Sequence, residues 1–190
     1  MRDYDLRSYA RVYTEFLDHD FCDQIVHSLN KISYQKHTFS NNRKNLYFSY
    51  DDDLDVAFTE IPQSQDLSMR VWSALEQYIL KDYADIEKVW GGWAGFTPIR
   101  FNRYQEGTQM HEHIDHIHTI FDGERKGIPT LSIVGLLNDD YQGGEFVMWG
   151  NTVIDLPKGS ILIFPSTFMY PHRVDAVRSG VRHSFVSWSF

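Results

Sequence analysis

The second half of this 190-residue chain carries the pattern that most constrains its fold. From about Ile99 onward, short runs of β-branched and aromatic residues alternate with turns rich in Gly, Pro, Asn and Asp. Many short strands separated in this way are typical of a sandwich or barrel, whose sheets bury a shared core. We therefore predict a jelly-roll core with strands in IRFNRY, TLSIVGLL, GEFVMW, NTVIDL, SILIFP, HRVDAV and RHSFVSWSF.

Two amphipathic helices are predicted in the first half. In the segment 16–32 apolar residues recur at helical spacing, and Asp18 or Asp20 is available as a cap. In the segment 62–79 the same spacing returns, with Ser64 as the predicted cap. Each helix should lay its apolar face on the β core, because such helices are stabilised mainly by tertiary packing.

The chain is predicted to form one α+β domain that spans residues 1–190. Its composition, with 42% hydrophobic and 15% aromatic residues, is sufficient for one well-buried core. The N-terminal part, about 1–97, is predicted to be helical and to support a double-stranded β-helix, or jelly roll, of about 98–190. The segment SYDDDLD, residues 49–55, is interpreted as a solvated acidic loop.

Charge and cysteine content limit the partners and the location of the protein. A formal net charge of -8 disfavours nucleic acid, whose phosphates attract basic surfaces. The single cysteine, Cys22, excludes an internal disulfide, and the N-terminal sequence lacks the apolar run of a secretory signal. No apolar run approaches the roughly 20 residues that span a bilayer. These observations predict a cytoplasmic protein without a membrane partner.

The segment MHEHIDHIH, residues 110–118, concentrates potential metal ligands. A zinc-protease motif is excluded, because its second histidine must lie four residues after the first, where this chain has Asp115. The segment lies among strand signals, and alternate residues of an extended chain share a face. Alternation therefore separates two sets: His111, His113 and Asp115 on one face, and Glu112, His116 and His118 on the other.

A metal site on the first face needs a further ligand from elsewhere in the chain. His113 and Asp115 can reach one ion, and His172 lies at the start of the predicted strand HRVDAV. Two imidazoles and a carboxylate on one side of a metal match the facial triad of non-haem Fe(II) oxygenases, which leaves coordination positions open. His111, one step further along the same face, is interpreted as a neighbour of the site or an exposed residue.

An arginine and a serine in the last predicted strand indicate an anion site. Arg182 and Ser184 share a face with Val186 and Trp188, so the arginine is predicted to point into the β core. A buried guanidinium needs an anionic or hydrogen-bonding partner, and beside a hydroxyl it suits the carboxylate of a small diacid. The alternative is an outward-facing arginine on the protein surface.

Together these residues resemble the Fe(II)/2-oxoglutarate-dependent oxygenases, and in particular their prolyl 4-hydroxylase-like branch. The ordered set that carries the resemblance is His113-x-Asp115, His172 and Arg182-x-Ser184. The resemblance extends to RYQEG, which contains Tyr104, and to the segments LLNDDYQGGEF and PKGSILIFPS. It covers about residues 98–190.

The resemblance implies a dioxygenase that hydroxylates a C–H bond of its substrate and releases succinate and CO2. It implies Fe(II), dioxygen, 2-oxoglutarate as cosubstrate and ascorbate as reductant. The implied catalytic residues, which are also the metal ligands, are His113, Asp115 and His172. The implied 2-oxoglutarate residues are Tyr104, Arg182 and Ser184. Prolyl hydroxylases often have a lysine where this chain has the arginine, and either can bind the far carboxylate.

The substrate that the resemblance implies is a peptidyl residue, above all proline. A free small molecule is the next alternative. A nucleobase comes last, because nucleic-acid dealkylases of the superfamily carry a second arginine where this chain has Trp188. Trp188 resembles the tryptophan at the active-site mouth of peptide hydroxylases, with simple core packing as the alternative. His116 is a second candidate at the substrate opening, and the segment 121–129 is either a lid or an inert surface loop.

Two other classes of protein remain open from the sequence. A cupin- or lectin-like jelly-roll module would hold a structural metal without any oxidation, but it has no reason to keep an anion clamp in the same barrel. A zinc hydrolase also fits two histidines and a carboxylate. Release of succinate from 2-oxoglutarate in air would separate all three classes.

Overall fold

A computed structural model of the chain describes residues 5–41, 46–84, 95–115 and 129–190. The helices are α1 (His19–Leu29) and α2 (Ser64–Glu76), which a π-helical segment (Gln77–Asp82) continues, and a 3-10 turn (Leu6–Tyr9) precedes them. The strands are β1 (Arg11–Tyr13), β2 (Gln35–Lys36), β3 (Phe39–Asn41), β4 (Leu46–Phe48), β5 (Asp55–Ala57), β6 (Arg100–Tyr104), β7 (Met110–His113), β8 (Leu131–Leu136), β9 (Gln142–Gly143), β10 (Phe146–Met148), β11 (Thr152–Ile154), β12 (Ile161–Pro165), β13 (His172–Val174), β14 (Val177–Ser179) and β15 (Arg182–Ser189).

The strands form two main antiparallel sheets. The larger has the order β1-β12-β8-β15-β6-β5-β2, and the smaller has the order β11-β10-β13-β7. Two short hairpin-like pairs, β14 with β9 and β3 with β4, complete the described sheets. All seven predicted strand segments contain strands, and their arrangement in two antiparallel sheets with added helices is the predicted α+β jelly roll.

Strand alternation divides the core of the larger sheet into two sides. On β8 and β15, Ile133 and Phe185 pack with the helices, whereas Val134 and Val186 pack between the two sheets. This separation follows from the two-residue period of a strand, which sends neighbouring side chains to opposite faces. Every second residue of β15, counted from Arg182, therefore faces the space between the sheets.

Both predicted helices are present and cover the outer face of the larger sheet. The buried residues of α1 are Phe21, Cys22, Ile25 and Leu29, and those of α2 are Leu67, Val71, Ala74 and Leu75. All of them belong to the core cluster on the helix side of the sheet. Among the described residues, no helix has both the length and the apolar character needed to cross a bilayer.

The helix starts differ from the predicted caps in detail. Asp18 stands at the cap position of α1, but its carboxylate accepts a hydrogen bond from Nη2 of Arg70 at 2.9 Å instead of capping the helix. Gln63 stands at the cap position of α2, so the prediction of Ser64 was wrong by one residue. The Ser64 hydroxyl accepts the backbone N–H of Ile61 at 2.9 Å, which closes the turn before the helix.

The N-terminal half also contributes strands, which the sequence did not indicate. β1 pairs with β12 at one edge of the larger sheet, while β5 pairs with β6 and β2 pairs with β5 at the other. These strands contain only two or three residues each, too few to show an alternating pattern. The prediction of a helical part over residues 1–97 was therefore incomplete.

Part of the acidic segment 49–55 is buried, so its interpretation as a solvated loop was wrong there. Asp53 is fully buried, and its Oδ2 accepts the backbone N–H of Tyr50 at 2.6 Å. Asp55 accepts a hydrogen bond from Nη2 of Arg103 at 2.9 Å. Arg103 lies on the neighbouring strand β6, far away in sequence, and only strand pairing brings this cation to the carboxylate.

Candidate active site

The predicted metal ligands converge at an edge of the smaller sheet. His113 lies directly opposite His172 in the antiparallel pairing of β7 with β13, and Asp115 follows two residues after the end of β7. Nε2 of His113 lies 3.5 Å from Oδ1 of Asp115, and Nε2 of His172 lies 3.8 Å from Oδ2. One potential ligand atom from each residue thus lies within 4.8 Å of the others.

The same backbone contact orients both imidazole rings. Nδ1 of His113 lies 2.7 Å from the carbonyl oxygen of His111, and Nδ1 of His172 lies 3.0 Å from that of Tyr170. Because a carbonyl only accepts, each Nδ1 carries the hydrogen and each Nε2 presents a lone pair. Metal-bound histidines usually donate their other N–H in this way. The backbone therefore selects the tautomer that metal ligation requires.

The charge states of this group suit a divalent cation. Burial by itself raises the pKa of the Asp115 carboxyl, but the neighbouring imidazoles, above all His172, hold it well below its ordinary value. Burial lowers the pKa of His172 to about 4. At neutral pH the carboxylate is therefore ionised and the His172 imidazole is neutral, which are the forms that bind metals.

Aromatic side chains enclose the imidazoles. The His172 ring stacks on Phe146 with centroids 5.4 Å apart and meets Phe164 edge-on at 4.9 Å. On the other side, the centroid of Phe39 lies 6.2 Å from that of His113. This apolar wall fixes the orientation of the rings and limits the access of water to the ligand atoms.

The predicted anion site lies on the larger sheet. Arg182 is 1% exposed, and its Nη1 donates to Oγ of Ser184 at 3.0 Å. Its guanidinium carbon lies 5.0 Å from the ring centroid of Tyr104, which is its direct partner in the pairing of β15 with β6. The inward orientation expected for the arginine is therefore the one observed, and not the alternative surface position.

No carboxylate of the described residues forms an ion pair with Arg182. Its Nε is also buried without a hydrogen-bond partner there. A buried and unpaired cation is costly, so the arrangement fits a bound anion better than an empty core. The guanidinium fork beside the Ser184 hydroxyl matches a carboxylate such as the distal one of 2-oxoglutarate, and the His113, Asp115 and His172 donor set matches Fe(II).

One cavity connects the two groups. Its walls include His113, Asp115 and His172 together with Tyr104, Arg182 and Ser184. Trp188 also lines the cavity, where it is partly exposed and packs against the core between the two sheets. The other predicted substrate residue, His116, and almost all of the predicted lid segment 121–129 lie outside the described residues.

Two polar residues of the cavity, Arg100 and Asn102, were missed in the sequence analysis. Both precede Tyr104 at steps of two along β6, so strand alternation is the signal that could have found them. Nε of Arg100 donates to Oδ1 of Asn102 at 3.0 Å, and its guanidinium carbon lies 5.2 Å from the ring centroid of Trp188.

His111 lies beside the metal group and not within it. Its Nε2 lies 3.0 Å from Oδ1 of Asp52, and its ring centroid lies 4.2 Å from that of Tyr50. Asp52, Asp53 and His111 form a second set of potential ligand atoms within 4.8 Å, but the direct contact between Asp52 and His111 satisfies both groups without an ion. The neighbouring position expected for His111 is the one observed.

Residues 99–190 match the family model of the 2OG-Fe(II) oxygenase superfamily, whose members use Fe(II) and 2-oxoglutarate. The match includes every residue proposed above for the metal and for 2-oxoglutarate. The family resemblance recognised from the sequence is therefore confirmed over the part of the chain on which it rested.

The chain is similar to several curated PKHD-type hydroxylases. One from Shewanella sp. (strain MR-7) is 37% identical over 97 residues, which are 49% of this chain and 42% of the relative. Another, from Psychrobacter sp. (strain PRwf-1), is 32% identical over 133 residues, which are 67% of this chain and 48% of the relative. The chain thus spans about half the length of the curated relatives it matches.

Solved structures of prolyl hydroxylases share the fold. A viral collagen prolyl hydroxylase from Paramecium bursaria Chlorella virus-1 superimposes with a TM-score of 0.67 at 15% identity, over 95% of this chain and 94% of that one. A Trichoplax adhaerens prolyl hydroxylase, in complex with a hypoxia inducible factor peptide fragment, superimposes with a TM-score of 0.70 at 16% identity, over 96% and 84%. The predicted jelly-roll fold is therefore confirmed.

Proposed function

We propose that this protein is an Fe(II)- and 2-oxoglutarate-dependent dioxygenase that hydroxylates a C–H bond of its substrate. One observation carries the proposal: the convergence of His113, Asp115 and His172 in a cavity that also holds Arg182, which is buried and has no carboxylate partner among the described residues. The first three offer an open-sided ligand set for a divalent metal, and the last offers a cation for a carboxylate. The superfamily match supports the same chemistry.

Three groups of residues would have different roles: binding the metal, binding 2-oxoglutarate and excluding water. Fe(II) would be held by two Nε2 atoms and one carboxylate oxygen, and the distal carboxylate of 2-oxoglutarate would be bound by Arg182, Ser184 and Tyr104. When bound, the metal and cosubstrate supply the oxidising power that inserts one atom of dioxygen into the C–H bond, while the other enters succinate and CO2 leaves. Ascorbate would keep the metal reduced. The aromatic wall around His172 would keep water from the site.

The substrate class we favour is a peptidyl residue, above all proline. This choice is supported by the fold shared with prolyl hydroxylases and by the place of Trp188 on the cavity wall. A free small molecule is the alternative, and the net charge of -8 disfavours nucleic acid. A cytoplasmic location is proposed with this function, because a single cysteine, Cys22, matches a reducing compartment.

A non-catalytic cupin- or lectin-like module is the competing proposal, and Arg182, buried without a carboxylate partner in the part of the chain that the structure describes, argues against it. A structural metal needs no carboxylate-binding cation in the same cavity, and a buried charge without a partner lowers stability unless a ligand offsets it. A zinc hydrolase would equally leave Arg182 without a role in its chemistry.

Succinate formation from 2-oxoglutarate tests the proposal directly. With Fe(II), ascorbate and air, we expect succinate from the wild-type protein, and we expect prolyl peptides in a mixed panel to gain one oxygen atom by mass spectrometry. His113→Ala and His172→Ala should each abolish succinate formation, while His27→Ala, which removes an exposed histidine of α1, should not. Wild-type succinate yields from either ligand variant would refute the assigned metal site.

A further inference from the structure

Arg100 places a second positive charge in the proposed active-site cavity. It is the first residue of β6, and alternation puts it on the same face as Asn102 and Tyr104. In the pairing of β6 with β15, Arg100 lies opposite Val186, whereas Arg182 lies opposite Tyr104. The two arginines thus stand at different ends of the cavity, separated by roughly 13 Å along the strand direction at about 3.3 Å per residue.

Two contacts hold Arg100 without neutralising its charge. Its Nε donates to Oδ1 of Asn102 at 3.0 Å, and its guanidinium stacks over the ring of Trp188 at 5.2 Å. Asn102 is itself 2% exposed, so the surrounding core holds the side chain that accepts this hydrogen bond. In the part of the chain that the structure describes, the two terminal nitrogens of Arg100 have no hydrogen-bond or ion-pair partner. Their N–H donors are therefore available to an anion.

The charges of the cavity favour an anionic substrate. Fe(II) and the 2-oxoglutarate dianion, whose binding belongs to the proposed function, neutralise each other. Among the described lining residues, Asp115 then offsets one of the two guanidiniums, those of Arg100 and Arg182, and one positive charge remains. Burial lowers the pKa of Arg100, an effect that Tyr104 and Asp115 oppose. The charged guanidinium is thus incompletely solvated, and a bound anion would stabilise it.

We propose that Arg100 binds a carboxylate of the substrate, and that the protein therefore selects substrates with a carboxylate close to the carbon that is hydroxylated. This inference rests on the proposed function and adds the chemical class of the substrate to it. The Trp188 ring and Asn102 fix the plane of the guanidinium, which is suited to bidentate binding of a planar carboxylate. The carboxylate has two sources: the main-chain carboxylate of a free amino acid or chain end, or the side chain of an acidic residue next to the target in a peptide.

Matched pairs of acid and amide test the proposal and separate the two sources. N-acetyl-L-proline and N-acetyl-L-prolinamide differ only in a main-chain carboxylate, and acetyl-Pro-Asp-amide and acetyl-Pro-Asn-amide differ only in a side-chain carboxylate. Dissociation constants are measured by calorimetry on protein loaded with Fe(II) and 2-oxoglutarate, with oxygen excluded so that binding is read without turnover. In at least one pair we expect the acid to bind about tenfold more tightly or better, as a charged bidentate contact allows.

The variants Arg100→Gln and Arg178→Gln identify the residue responsible. Arg178 is an exposed arginine of β14 that pairs with Glu145 outside the cavity, so its variant is the matched control for the loss of one charge. Arg100→Gln should reduce the preference for the acid to about twofold or less, whereas Arg178→Gln should retain it. Thermal unfolding of each variant checks that it is folded.

Four results would overturn the proposal. For the wild-type protein, they are equal affinities for acid and amide in both pairs, or no binding of any probe. For Arg100→Gln, they are an unchanged preference for the acid, or a loss of 2-oxoglutarate affinity as severe as that of Arg182→Gln. Failure of the proposed function is a separate observation, because it appears as the absence of succinate from the wild-type protein when no probe is present.

Discussion

His113 and His172 face each other across the pairing of β7 with β13, with ring centroids 4.3 Å apart. Each ring donates its Nδ1 hydrogen to the carbonyl of the residue two positions before it, so the two Nε2 atoms point to the same carboxylate, that of Asp115. This relationship depends on strand register, because a shift of one residue would turn one imidazole to the opposite face of the sheet. The candidate metal site is therefore built by the pairing of two strands and is supported by backbone groups.

Arg182→Met is expected to separate stability from ligand binding. Without 2-oxoglutarate, the free energy of unfolding should equal or exceed that of the wild type, because an apolar side chain replaces a buried cation that has no carboxylate partner among the described residues. The dissociation constant for 2-oxoglutarate should rise by roughly 10- to 100-fold, as expected for losing a charged hydrogen bond. Urea unfolding with and without 2-oxoglutarate measures both effects. If the variant is less stable and binds 2-oxoglutarate as the wild type does, the arginine stabilises the fold and does not bind 2-oxoglutarate.

Asp52→Asn should weaken metal binding through His111. Oδ1 of Asp52 lies 3.0 Å from Nε2 of His111, whose carbonyl accepts the Nδ1 hydrogen of His113. Loss of such an outer contact typically lowers metal affinity by about tenfold or more. The expected result is a higher Fe(II) requirement with less effect on kcat at saturating metal. Asp51→Asn, at the exposed neighbouring position, is the matched control, and equal Fe(II) requirements in the two variants would exclude this positioning role.

Gly144→Ala should disturb 2-oxoglutarate binding, whereas Gly150→Ala should not. Both glycines have left-handed backbones, with φ of 66° and 81°, so each alanine costs about 1 kcal/mol of stability. A Cβ at Gly144 would lie 2.8 Å from Cδ of Arg182, but a Cβ at Gly150 would meet nothing within 4 Å. We therefore expect a larger loss of melting temperature in Gly144→Ala than in Gly150→Ala, and a raised dissociation constant for 2-oxoglutarate only in Gly144→Ala. If Gly144→Ala and Gly150→Ala bind 2-oxoglutarate with the same affinity, Arg182 can move away from the new methyl group without losing its contact with the ligand.

Stability of the metal-free protein should fall as the pH is lowered from about 6.5 towards 4, because buried histidines, among them His37 and His183, bind protons only in the unfolded chain. Burial lowers the pKa of His37 to about 3 and that of His183 to about 4, while an unfolded histidine titrates near 6.5. The unfolded state therefore takes up protons that the folded state does not, with a slope of up to about 1.4 kcal/mol per pH unit for each residue. Above pH 7 this contribution should be constant.

Urea unfolding of the metal-free protein across this pH range measures the slope. His183→Gln removes one titrating group and should make the slope shallower, while His27→Gln, at an exposed position of α1, should leave it unchanged. A pH-independent free energy of unfolding between pH 4 and 7 would contradict the assignment of neutral buried histidines.

Local periodicity accounts for the parts of the site that could be predicted. His113 with Asp115, and Arg182 with Ser184, are each two residues apart, and two extended residues return a side chain to the same face whatever the rest of the fold does. The same rule could have found Arg100 and Asn102 from their spacing to Tyr104, but nothing in the six letters IRFNRY shows that this face borders the metal group. The helical spacing of the segments around α1 and α2 is equally local, which is why both helices were predicted.

The sequence by itself thus determined the strand segments of the C-terminal half, the two helix segments, the shared faces along each strand, and the family resemblance. Tertiary structure alone decided which distant residues meet: His172 with the ligand pair on β7, Asp55 with Arg103, and Arg100 with Trp188. The physical reason is that a side chain's direction along one strand depends on the backbone geometry of a few residues. Its neighbours across strands depend on a register that is selected by burial of the whole core.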